Sequence, residues 1–179
     1  MNYDDVLSFW FDEIDPSKWW IKNTSFDQLI EDKFLVLHGQ ANNCELFEWR
    51  SSAKGRLAEI IVLDQFSRNI FRDTAKAFLS DQLALALSQE AISLGKHHDL
   101  NNIERTFMYM PFMHSESLRI HDVAVELFKG NGIQSNLDFE IKHRYIIEKF
   151  GRYPHRNAIL NRVSSVEEVE FLKQPNSAF

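Results

Sequence analysis

Between Phe26 and Ala41 the apolar residues Phe26, Leu29, Ile30, Phe34, Leu37 and Ala41 recur at steps of three and four. That is the period of one face of an α-helix, not the alternation of a strand. Ser25 followed by Gln28 reads as a capping box, and Asn42-Asn43 closes the pattern. Similar patterns run from about Ala53 to Asp64 (Leu57, Ile60, Ile61), from an N-cap at Ser80 to Gly95 (Leu83, Leu87, Ala91, Leu94), and from Asn102 to Met113 (Ile103, Phe107, Met110). Three more cover Ser115 to Lys129 before Gly130, Phe139 to Phe150 before Gly151, and Ser165 to Lys173 behind the capping pairs Ser164/Glu167 and Ser165/Glu168. No alternating run is long enough for a strand, and only 6 Gly and 4 Pro in 179 residues leave too few turn formers for a sandwich or barrel. The expected fold class is all-α, one domain over residues 1–179, with short connections that make successive helices antiparallel pairs. Pro111 should end or kink its helix and set Pro111–Glu116 at a corner.

Charge and cysteine usage exclude several classes of function. The net charge is −6, but residues 1–48 hold ten acids against three lysines, whereas residues 140–162 hold six Lys/Arg against two Glu. A locally basic segment in an acidic chain suits a small anion or internal ion pairs better than a nucleic-acid duplex. No apolar run approaches the ~20 residues of a membrane span, and the acidic start MNYDDVLSFWF lacks the basic stretch of a secretory leader. The lone Cys44 allows no intrachain disulfide and reads as a small buried side chain. These features together predict a cytoplasmic protein with neither a membrane nor a nucleic-acid partner. Trp10, Trp19, Trp20 and Trp49 read as packing residues, and His97-His98 as a solvent-facing pair.

Polar side chains that continue apolar stripes carry the functional information, because burying one without a partner is costly. Asp64 extends the stripe of Leu57, Ile60 and Ile61; His114 extends that of Ile103, Phe107 and Met110; His143 shares a face with Phe139, Ile146, Ile147 and Phe150. Two polar turns follow helices and carry Arg-Asn pairs: Arg68-Asn69 with Arg72, and Arg152, His155, Arg156 and Asn157. Guanidinium forks in such turns suit carboxylate or phosphate. The candidate ligand-binding residues are therefore Arg68, Asn69, Arg72, Arg152, His155, Arg156 and Asn157, and the candidate catalytic ones Asp64, His114, Glu116, His143 and His155. His114-x-Glu116 is too loose a spacing for a zinc signature, no phosphate-cradling glycine loop or nucleophile elbow is present, and no metal or cofactor is expected.

Four ordered segments also resemble one family. They are Leu7-Ser8-Phe9-Trp10-Phe11, Leu63-Asp64-Gln65-Phe66-Ser67-Arg68-Asn69-Ile70-Phe71-Arg72, Met113-His114-Ser115-Glu116, and Phe150-Gly151-Arg152-Tyr153-Pro154-His155-Arg156-Asn157. The chain resembles, over essentially its whole length, the family known as domain of unknown function 924. The resemblance implies an all-helical, tetratricopeptide-like arrangement of helix pairs and no assigned activity. The chain departs from the family pattern at Tyr153, in place of Phe, and at Asn161, in place of Gly.

Three functions are compatible with these residues. The first is a helical scaffold whose Arg/His pocket binds a small anion or a peptide carboxylate. The second is a hydrolase or transferase acting on an anionic metabolite through a histidine base held by Asp64 or Glu116. The third is an interaction module in which the polar network is purely structural. The oligomeric state is left open.

Overall fold

The computed structural model describes residues 1–175 and 177, and among these the chain is all-helical, without strands. The α-helices are α1 (Tyr3–Ser8), α2 (Thr24–Asn42), α3 (Ala53–Ile61), α4 (Ser67–Ile70), α5 (Asp81–Ser93), α6 (Asn102–Met113), α7 (Leu118–Asn131), α8 (Gln134–Phe150) and α9 (Val166–Leu172). Short 3-10 turns connect several of them, and two π-helical turns, Phe9–Glu13 and Val62–Phe66, follow α1 and α3. Helices α6, α7 and α8 pack in sequence, each on the next, which is compatible with tetratricopeptide-like pairing. No helix among the described residues is long and apolar enough to cross a membrane.

The main core joins α1, α2, α3, α5, α6 and α7 around Phe9, Trp10, Phe34, Leu57, Ile61, Phe66, Phe107 and Phe128. A smaller cluster of Ile146, Ile147, Tyr153 and Phe171 seats α9 against α8. Trp10 is buried, but Trp20 is 57% exposed and stacks on Phe107 from outside. Gly55 is where the α3 start meets the preceding turn: a β-carbon there would lie 2.1 Å from the Trp49 carbonyl oxygen. Gly55→Ala is expected to destabilise the fold by about 1–3 kcal/mol, the range for overpacking a closed contact. A denaturation midpoint equal to wild type would contradict this.

Several local expectations are corrected. Helix α2 is capped by Asn23, whose side chain accepts from the Phe26 N–H at 2.9 Å, not by Ser25. Leu29, Leu94, Ile103 and Phe139, expected on buried stripes, are about half exposed. Helix α5 buries the expected Ala91 together with Ala84 and Ser88, with Leu83 and Leu87 half-buried against the core; small residues let it approach its neighbours closely, and the Ser88 hydroxyl donates to the Met108 carbonyl. Helix α7 begins at Leu118 and stops at Gly132 (φ +80°), two residues past the expected Gly130, and α8 starts at Gln134 instead of Phe139. Cys44 is exposed, not buried. It holds φ +58° in the reversal that ends α2, with Cys44 N–H donating to Ala41 O and Glu45 N–H to Gln40 O, the bond pair of a Schellman motif. Asn161 likewise holds a left-handed φ of +53°, a conformation Asn tolerates better than most residues.

Candidate functional site

Asp64 lies in the π-helical turn Val62–Phe66, and its carboxylate is fully buried. Such single-turn widenings of a helix re-aim side chains and are frequent at functional sites. Its Oδ1 meets His114 Nδ1 at 2.7 Å and Arg68 Nη1 at 3.2 Å, while Oδ2 accepts from Gln65 Nε2 at 2.5 Å. Burial acts to raise the Asp64 carboxyl, but the Arg68 cation and the hydrogen bonds from His114 and Gln65 outweigh it and hold the group at about 2. The carboxylate is therefore ionised at neutral pH, and the proton of the bond must sit on His114 Nδ1. Burial and the Arg68 cation push His114 below its ordinary value, against the pull of Asp64, so the ring is neutral at pH 7. Nε2 then carries the lone pair, and it has no hydrogen-bond partner among the described residues.

Arg68 and Arg156 meet over Asp81, the first residue of α5. Asp81 Oδ2 accepts from Arg68 Nη2 at 3.0 Å and from Arg156 Nη1 at 3.2 Å. Arg68 Nη1 also donates to the Asp64 carbonyl at 2.7 Å, and Arg156 Nη2 to the His114 carbonyl at 3.1 Å. The Arg156 guanidinium packs on the rings of Phe78 and Tyr153, 4.5 and 4.6 Å from their centroids. Burial, with Arg68 as neighbour, makes Arg156 easier to deprotonate than an ordinary arginine. The Tyr153 ring also borders His143 and His155, at 5.8 and 5.5 Å. Burial drives both histidines down, His143 to about 3 and His155 to about 4. His143 Nδ1–H donates to the Phe139 carbonyl at 2.8 Å.

The other expected residues lie elsewhere. Asn69 and Arg72 both donate to Asp27, Arg72 bidentately at 2.5 and 2.7 Å, and thereby tie the α4 turn to α2. Arg152 forks onto Glu168 at the start of α9, and Asn157 binds Ser164 and Arg162. Glu116 pairs with Arg162 and accepts from the Tyr153 N–H. Four arginines do not converge, therefore; two do, and Asp64 and Asp81 match their charge. Among the described residues, no group of three or more His, Cys, Asp or Glu is placed to hold a metal ion.

Sequence reasoning missed Asp81, Arg162 and a sealed pair. His121 and Glu140, both fully buried, meet at 2.7 Å between α7 and α8. His121 Nε2–H donates to the Ser115 carbonyl, so the Nδ1···Glu140 bond requires a proton on the carboxyl or a second one on the ring. Burial raises the Glu140 carboxyl, which favours the first arrangement. The signal was present, because His121 shares the buried face of α7 with Ala124 and Phe128. Asp81 gave none, since an acid in a first helical turn is ordinary.

The fold and this cluster define an all-helical protein with an aspartate–histidine pair beside two converging arginines. The chain belongs to the family described as bacterial protein of unknown function (DUF924), whose pattern it matches over residues 6–176. It is similar to the structure of a protein of unknown function from Agrobacterium tumefaciens, with 36% identity over 97% of both chains and a TM-score of 0.91. The curated proteins contain no match.

Proposed function

We propose that the cluster of Asp64, His114, Arg68 and Arg156 is a ligand site for a small anionic metabolite, at which His114 acts as general base in a hydrolysis or group transfer. The observation that carries this reading is the 2.7 Å bond from His114 Nδ1 to an ionised, buried Asp64. It fixes the tautomer, orients the ring, and leaves Nε2 as a proton acceptor in a ring that is neutral at pH 7. The two guanidiniums beside it supply a place for the negative group of a substrate. A small molecule suits the site better than a peptide terminus, because the Arg156 side chain is only 8% exposed.

A purely structural network is the second reading, and the matching of Arg68 and Arg156 by Asp64 and Asp81 favours it. Hydrolysis of a panel of small carboxylate and phosphate esters separates the two. His114→Gln should lower the rate about 100-fold or more, the usual contribution of general-base catalysis, with little change in melting temperature. Activity that survives His114→Gln would remove His114 as the base, and no turnover of any ester by wild type would leave the structural reading. Ring 15N shifts at pH 7 should meanwhile report His114 as the Nδ1–H tautomer.

A further inference from the structure

We propose that the Asp81 carboxylate occupies, within the folded chain, the position that a ligand's oxyanion takes between Arg68 and Arg156, so that ligand binding is an exchange of one anion for another. The inference rests on the reading of this cluster as a ligand site and adds the ligand's chemistry: a carboxylate or phosphate with at least two free oxygens.

Three observations support it. First, the internal match is incomplete. Asp81 Oδ2 serves both guanidiniums, but Oδ1, although 3.0 Å from Arg68 Nη1, is buried without a properly directed hydrogen bond. Arg156 Nε is likewise a buried donor with no acceptor among the described residues. A carboxylate set edge-on to the Nε and Nη atoms, or a phosphate with its extra oxygens, would use the donor that Asp81 leaves idle. Second, the receiving group is already immobilised. The Phe78 and Tyr153 rings both pack on the Arg156 guanidinium, so an anion approaching its edge orders little that is not ordered beforehand. Third, Asp81 is the displaceable partner. It begins α5 directly after the exposed Leu79 and the turn at Ser80, and its side chain is 16% exposed, whereas that of Asp64 is 1% exposed and held on both oxygens. The exchange forms and breaks only ion pairs and hydrogen bonds.

The test compares wild type, Asp81→Asn, Asp81→Asn/Arg156→Ala and the exposed control Lys173→Ala at constant ionic strength, with inorganic phosphate in one arm and acetate in the other. Expected are perturbed guanidinium NMR signals of Arg68 and Arg156 in wild type on adding anion, and an affinity about tenfold higher in Asp81→Asn, with a concentration-dependent rise in its melting temperature. Both effects should vanish in the double variant, and Lys173→Ala should behave as wild type. The arm with the tighter response identifies phosphate or carboxylate as the preferred group. If Asp81→Asn folds only when anion is present, the exchange is supported; if it fails to fold even with either anion at about 100 times the wild-type Kd, the exchange is refuted. Equal responses in the single and double variants, or none in any, also overturn it. These readouts do not depend on proton transfer: anion exchange with undiminished activity in His114→Gln would reject the general base alone, and the converse would reject the exchange alone.

Discussion

Lowering the pH from 7.5 to 5 should cost this protein on the order of 4 kcal/mol of stability, well before ordinary carboxylates titrate. Burial lowers His143 to about 3 and His155 to about 4, from 6.5. Between the folded and unfolded values the unfolded chain binds more protons, so stability rises with pH across that window and is lost as pH falls through it. At pH 5 each histidine contributes a loss of about 2 kcal/mol, from 1.5 units at 1.36 kcal/mol per unit. His38 and His114, also lowered by burial, act in the same direction. Below about pH 4 the loss continues as Asp64 and Glu168, each held near 2 in the fold, begin to protonate in the unfolded chain. Glu140, raised by burial, works the other way but is one group against several. Against a typical total of about 5–15 kcal/mol the predicted loss is large. Urea denaturation at pH 7.5, 6 and 5 measures it directly, and His143→Gln with His155→Gln should flatten the slope. A profile level from pH 7.5 to 5 would show that these rings are not held neutral by the fold.

Asp64→Ala should destabilise the protein by about 3 kcal/mol, the lower end for breaking a buried ion pair. The substitution deprives Arg68, His114 and Gln65 of an acceptor at once, but Arg68 keeps Asp81 and the Asp64 carbonyl, which limits the loss. Asp64→Asn should cost less, because its side-chain oxygen still accepts from His114 Nδ1. Both variants also change the ring: without a carboxylate beside it, His114 loses the strongest of the influences that raise its proton affinity and should titrate lower still. Denaturation midpoints give the first result and histidine NMR titration the second. Equal midpoints for wild type and Asp64→Ala would mean that the buried carboxylate stabilises nothing.

How much of the site could be read in advance follows from which forces set each residue. Asp64 and His114 were legible because a polar group on a 3.6-residue apolar stripe is costly and so needs a partner. The identity of that partner is a matter of three dimensions. The two belong to segments 50 residues apart, and the π-helical turn that aims Asp64 at His114 leaves no distinct mark in the hydrophobic pattern. The sequence pattern groups Arg72 and Arg152 with Arg68 and Arg156 as candidate ligand-binding residues. Asp27 and Glu168 hold the first two elsewhere, because an arginine in a turn takes whichever acid the packing brings within reach.

The sequence by itself determined the helical class, the position of most helices and the polar residues that had to be paired, since periodicity, caps and turn formers act over a few residues. Only the tertiary structure decided helix rotation and pairing. Helix α5 buries Ala84, Ser88 and Ala91 fully and leaves Leu83 and Leu87 half-buried at the edge of the core, since interhelix distance favours small side chains there. Asp81, ordinary in its own helix, becomes the carboxylate between two guanidiniums because the α4 turn and the turn after α8 arrive on the same side of it. Local rules fix which groups need partners; long-range packing chooses the partners, and with them the chemistry the site can perform.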